Sequence, residues 1–321
     1  MRNNRFQNHV SKSPFTLPLC IVLGFLVWFW NDLFGTLSFS FSSLLGFAFS
    51  ALITYVVIET SNKFSLLRVR SNMIASVWVI AVALMPEVHD FSVGWVATLA
   101  LVCSYYVMFH AYQQFEPVVA VFHAFLLLGI ASLLVVHLLV FVPLFYWYLF
   151  VFLRSLTWRS FWAGIVGLVL PICFVLGWSI ASRDYAFIMD RAGELLQTSW
   201  IVGQDYTCML SYRNPQILVL AFMFLLIFVG IVHYLSSYYS DKIRTRMYLY
   251  IYVIQTIVAS MLILCIPSKI EVLYPVLMCG GSVMIAHFFA QTSSWLSNIL
   301  FVVTMLMVII LLAVNLGIWK F

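Results

Sequence analysis

Between Pro117 and Leu153 the chain runs 37 residues without an aspartate, glutamate, lysine or arginine. A bilayer core about 30 Å thick takes about 20 helical residues, so this stretch holds nearly two crossings. Its polar interruptions are His137 and Ser132, and Pro143 stands six residues past the histidine. The pattern predicts a tight helical hairpin that turns near Val135–Leu138. Beyond its second arm lie the first basic residues, Arg154 and Arg159. The rest of the chain repeats this texture with longer loops, which predicts an all-α integral membrane protein, a polytopic bundle.

Composition removes the soluble alternatives. Hydrophobic residues make up 64% of the chain and charged residues 8%, at a mean hydropathy of +1.06. A water-soluble domain carries about a quarter charged residues. The net charge of +5 would suggest nucleic acid as a partner in a soluble chain. Here it is better explained by lysines and arginines retained on the cytoplasmic face. The expected partners are therefore the lipid bilayer and other membrane proteins, with no nucleic acid.

Eleven spans fit the hydropathy, at about Phe15–Phe34, Phe41–Ile58, Asn72–Met85, Val93–Phe109, two in the hairpin, Phe161–Ala181, Pro215–Ser236, Tyr248–Ile266, Leu273–Ala290 and Leu296–Ile318. They form a single transmembrane domain over residues 1–321, with a long extracytoplasmic loop at about 182–214. Within that loop Ala186–Trp200 reads as a short amphipathic helix lying on the membrane. Pro171 is expected to kink the middle of its span. The start, MRNNRFQNHVSKSPF, is basic like a signal peptide, but the apolar run ends in WFWND without a small-residue cleavage site, so it reads as a retained span.

Charge sets the orientation. With the N-terminus inside, the cytoplasmic segments hold Arg2, Arg5, Lys12, Lys63, Arg68, Arg70, Arg154, Arg159, Lys242, Arg244 and Arg246. The far side holds Arg183, Arg191, Arg213, Lys269 and Lys320, a ratio of 11 to 5 in the expected sense. Reading Pro117–Leu153 as one span would move Arg154, Arg159, Lys242, Arg244 and Arg246 outside.

Chemistry has few candidates. The six cysteines form no CxxC pair, and five of them lie in apolar runs, so no disulfide, metal site or cofactor is expected. No acid or base stands near the centre of a span, which counts against a proton-coupled transporter. His123, His137 and His287 sit in or beside spans and are expected to bond to neighbouring helices or to stand at an interface. On the far side PEVHDF places Glu87, His89 and Asp90 together, Asp32 follows the first span, and Arg183 and Arg191 lie in the long loop. Carboxylates with a histidine can serve as a general base, and arginines can hold a phosphate. Those residues are the catalytic (Asp32, Glu87, His89, Asp90) and substrate-binding (Arg183, Arg191) candidates for an enzyme acting on a lipid-linked substrate, in the manner of a glycosyl transferase or polysaccharide polymerase. Gly280 with Gly281, and Gly164 with Gly167, are expected to let helices pack closely.

The hairpin LLLGIASLLVVHLLVFVPLFYWYLFVFLRSLTWRSF, the proline-bearing GIVGLVLPICFVLGW and the late IPSKIEVLYPVLMCGGSVMIAHFF resemble a multi-pass inner-membrane family of Bacteroidetes-type bacteria with a domain of unknown function. That resemblance implies an inner-membrane location and this topology, and transfers no site residues. The expected function is a structural or assembly component of envelope biogenesis, with the enzyme as the alternative and a transporter behind both.

Overall fold

The computed structural model describes residues 5–30, 40–69, 71–196 and 215–316. Asp32, Arg70, Asp205, Cys208, Arg213 and Lys320 lie outside the described residues. Within them the chain is all helical, with no strand. The order is α1 (Phe6–Lys12), α2 (Thr16–Trp28), α3 (Phe41–Phe64), α4 (Met73–Ala83), α5 (Val93–Phe109), α6 (Val118–Leu134), α7 (Phe141–Trp147), α8 (Trp158–Ser182), α9 (Ala186–Leu196), α10 (Pro215–Ser237), α11 (Ile243–Cys265), α12 (Ile270–Gln291) and α13 (Trp295–Asn315). Helix is what an apolar chain must adopt in lipid, because it bonds every interior backbone N–H and C=O within the segment.

Six of the described helices are long and apolar enough to cross a membrane: α3, α8, α10, α11, α12 and α13, the third and the fifth of them taken with an adjoining turn. The pair α1 and α2, bent by 86°, would make a seventh, and four shorter apolar helices of 10–17 residues accompany them. The protein is thus a helical membrane protein. Only 17% of the apolar window of α8 or α13 is buried, against 89% for α12, so α8 and α13 turn wide faces to lipid and α12 is an interior helix.

The hairpin turns where its sequence indicates. α6 stops at Val135, which is extended (φ −131°, ψ 96°), and a 3-10 turn over Val136–Val140 leads into α7. Pro143 falls in the first turn of α7, where a missing N–H breaks no bond. A turn of π-helix, Tyr148–Phe152, closes the second arm. Thr157 then caps α8 through a reciprocal pair with Ser160, which starts that helix three residues before the run at Phe161. α8 continues unbroken through Pro171. Arg159, at its start, pairs with Glu116 at 3.1 Å, just ahead of α6.

The described residues group into two compact units. Unit 1 takes those within 1–92, 206–256 and 277–321, and unit 2 those within 93–205 and 257–276. Unit 1 buries Phe29, Trp78, Tyr234 and Tyr248, and unit 2 buries Trp95, Tyr105, Phe125, Phe141 and Phe145. The paired glycines act as expected in each. A Cβ on Gly280 would lie 2.3 Å from Thr256 Oγ1 in unit 1, and one on Gly167 would lie 2.4 Å from the Phe122 carbonyl in unit 2.

Candidate functional site

Two polar clusters belong to unit 1, one beside each end of α3. The first is the PEVHDF segment. A 3-10 turn over Pro86–Val88 brings it across the first turns of α3, where Gly46 leaves room: a Cβ there would lie 2.3 Å from the His89 carbonyl. Phe91 N–H donates to the Ser42 carbonyl at 3.2 Å and to its hydroxyl at 3.0 Å. Asp90 accepts from Ser43 Oγ at 2.9 Å, and Glu87 accepts from the Gln216 amide. The His89 ring stacks on Trp28 with centroids 4.3 Å apart and planes 16° from parallel. Its Nε2 lies 3.3 Å from the Ala83 carbonyl, to which it donates. Burial drives the His89 pKa down to about 4, against the opposing pull of that carbonyl and of Asp90. The imidazole is therefore neutral at physiological pH.

Arg183 and Arg191 belong to unit 2. Arg183 is exposed and ends α8 in the left-handed region at φ 56°. Arg191 pairs with Glu194 one turn along α9 at 2.7 Å and covers the Phe187 ring at 5.3 Å. Glu194 also takes Lys269 at 3.3 Å. α9 carries out the helical part of the expected amphipathic segment as far as Leu196. Of the histidines in spans, His123 bonds the Val119 carbonyl of its own helix at 2.8 Å, and His137 is buried at the hairpin turn.

The second cluster was not among the sequence candidates. Asp241, in the turn between α10 and α11, has a side chain with no exposure at all. Arg68 Nε reaches its Oδ1 at 2.5 Å, and His287 Nε2, from the interior of α12, reaches its Oδ2 at 3.2 Å. Arg68 Nη2 also donates to Ser240 Oγ. Burial by itself would raise the Asp241 pKa, but the hydrogen bonds and charges of His287 and Arg68 outweigh it and hold the carboxylate below its ordinary range. The imidazole lies among Tyr234 and His233, at ring distances of 5.3 and 6.0 Å. Residues from positions 68 and 287 thus meet on the carboxylate of position 241. The sequence hints were His287, expected to bond a neighbouring element, and the acid in SDKIRTR, an otherwise basic turn.

An open polar cavity of about 560 Å³ adjoins this cluster, walled by Ser61, Asn62 and Ser65 at the end of α3, by Arg68 and Ser71 after it, and by the 240–245 turn. Among the described residues no three histidine, cysteine, aspartate or glutamate side chains converge as a metal set. Compared with protein-family models, curated proteins and solved structures, the chain matches none.

Proposed function

We propose that the chain is a non-catalytic component of envelope biogenesis, an eleven-span protein of the bacterial inner membrane with its N-terminus in the cytoplasm, working through the partners it holds. The observation that carries this is the use of its polar groups as joints between helices. Glu87 takes Gln216, Asp90 takes Ser43, His89 takes Trp28 and the Ala83 carbonyl, and Asp241 takes Arg68 and His287. Side chains so engaged fix helix positions. The span count draws support from the coincidence of each hydropathic run with a helix: six long ones, the bent pair and four short ones. Orientation rests on the basic-residue ratio, and inner-membrane placement also on the family resemblance. Labelling from the periplasm on a cysteine-free background tests it. A cysteine at Asp90 should react and one at Arg159 should not.

One observation favours the enzyme reading on a lipid-linked substrate. His89 is neutral, its Nε2 donates to the Ala83 carbonyl so that Nδ1 is left as an acceptor, and the next residue, Asp90, is exposed. On that reading Glu87, His89 and Asp90 supply the acid–base groups. His89→Phe keeps the stack on Trp28 and removes the base. Loss of a general base costs about 10²- to 10⁴-fold in rate. If the variant stays folded and complements a deletion strain, the non-catalytic reading holds. A folded variant that fails to complement would replace it with the enzyme.

A further inference from the structure

Beside the polar cavity, unit 1 has a second one of about 420 Å³, walled by apolar side chains of α2, α4, α10, α12 and α13, among them Cys20, Leu23, Met223, Phe289 and Leu312. The two adjoin through a short piece of chain. Ser71, on the wall of the polar cavity, donates its hydroxyl to the Ser11 carbonyl, and it stands two residues from Met73 on the wall of the apolar one. Val10, next to Ser11, also lines the apolar cavity. The apolar cavity opens to lipid, since Leu23 is 45% and Ile309 60% exposed at its margin.

The polar cavity has the chemistry of a phosphate site. Its carboxylate, Asp241, is already paired with the Arg68 guanidinium and hydrogen-bonded to His287. Arg68 commits Nε to Asp241 and Nη2 to Ser240, which fixes the guanidinium at the wall with Nη1 still to donate. Lys242 is exposed and pairs with no carboxylate among the described residues. The side chains of Ser61, Asn62 and Ser65 donate to no described residue. A tetrahedral oxyanion uses several donors and a cation at once, and lysine serves it as a point charge. The basic-residue ratio puts this end at the cytoplasmic leaflet, where anionic lipids concentrate.

We propose that unit 1 binds one anionic phospholipid, its phosphate headgroup in the cavity at Arg68 and Lys242 and an acyl chain in the apolar cavity beyond Ser71. Charge complementarity selects the headgroup, and the adjoining apolar space selects a lipid over a soluble phosphate. The full-length protein in neutral detergent is melted with tryptophan fluorescence as readout, against phosphatidylglycerol, phosphatidylcholine or inorganic phosphate. Phosphatidylglycerol should raise the melting temperature saturably, as any ligand of the native state does, and the other two should not. Lys242→Ala should weaken its apparent affinity about fivefold, the effect of one basic group at an anionic surface. Leu23→Trp, plugging the apolar mouth, should weaken it about fifteenfold if two methylenes are kept out. Equal stabilisation by phosphatidylcholine, or by phosphate alone, would overturn the proposal. So would an unchanged response in either variant.

Discussion

The two ends of α3 carry polar clusters built on different rules. At its first turns Asp90 and Glu87 are held by a serine hydroxyl and a glutamine amide, both neutral donors. Just past its last turn Asp241 is held by an arginine, with a buried histidine on its other oxygen. α3 has 24 residues, about 36 Å of helix. That exceeds a hydrocarbon core of about 30 Å, so α3 is long enough to set the two clusters at opposite faces of a bilayer. The first is partly open to water, which solvates whatever its partners leave bare. The second carboxylate has no exposed surface of its own and is satisfied by Arg68 and His287, with Arg68 facing an open polar cavity. The lesson is that exposure, more than the number of charges, decides whether an acid here is replaceable.

The largest effect should therefore come from Asp241→Ala. It leaves buried His287 without its carboxylate, while Arg68, 40% exposed at the cavity, can turn to water. The cost is thus about 3 kcal/mol at most, the low end for a buried pair. The sign of the pH dependence follows from the depressed Asp241 pKa. Its contribution is complete above the unfolded carboxylate value of about 3.9 and fades as pH falls through the lower folded value. Denaturant unfolding in detergent should show wild type and Asp241→Asn converging as the medium is acidified below about pH 4. A constant gap at all pH values would mean that the carboxylate charge is not what stabilises this end.

Gly46→Ala comes next and acts at the other end. The added methyl would sit 2.3 Å from the His89 carbonyl, a backbone atom in a segment strapped to α3 on both sides. Overpacking of this kind costs about 1–3 kcal/mol. Gly177→Ala is the control, because a Cβ there meets nothing within 4 Å. Equal melting temperatures for the two variants would show that the 86–91 segment is free to lift off α3.

How much of this could be read in the sequence differs between the two ends. PEVHDF is contiguous, so its three groups announce themselves, and the hairpin turn, the α4 and α5 runs and the amphipathic α9 follow from hydropathy and periodicity. The Asp241 cluster draws on positions 68, 241 and 287, which no local pattern links. A histidine in an apolar helix and an aspartate in a basic turn are each unremarkable until the fold joins them. Charge counting saw SDKIRTR as a topology signal and passed over its acid. The bend between α1 and α2 was missed for a similar reason. The expected span begins at Phe15, and the polar segment before it forms α1, which extended Ser13 sets off from the apolar run. The partners of Glu87 were also hidden, since Gln216 is 129 positions away.

A third test reads the first cluster by acid. The folded His89 pKa is about 4, against an ordinary value of about 6.5 in the unfolded chain. Between these values the unfolded state binds the proton that the folded state refuses, so stability rises with pH across the window. Above about 6.5 the contribution is complete, and acidification toward 4 removes it. His89→Phe should flatten the slope of stability between pH 6.5 and 4 while leaving the Asp241 transition below it. The Ala83 carbonyl and Asp90 oppose the burial of the ring, so this effect should be smaller than the loss in Gly46→Ala. A slope unchanged by the substitution would assign the acid sensitivity of this end to another group.

The smallest effect should be Ser43→Ala. It removes a 2.9 Å hydrogen bond to Asp90, a carboxylate already exposed to solvent. Water then replaces the lost hydroxyl, so the cost is about 0.5–1.5 kcal/mol, the net value of a typical intramolecular bond. The same reasoning predicts a larger effect at Asp241, whose side chain is unexposed between Arg68 and His287. The ratio of the two losses, measured by the same denaturant titration, is thus a direct reading of the difference between the ends. A ratio near one would mean that water from the adjoining cavity replaces the lost carboxylate, and the account of that end as satisfied by protein alone would fail.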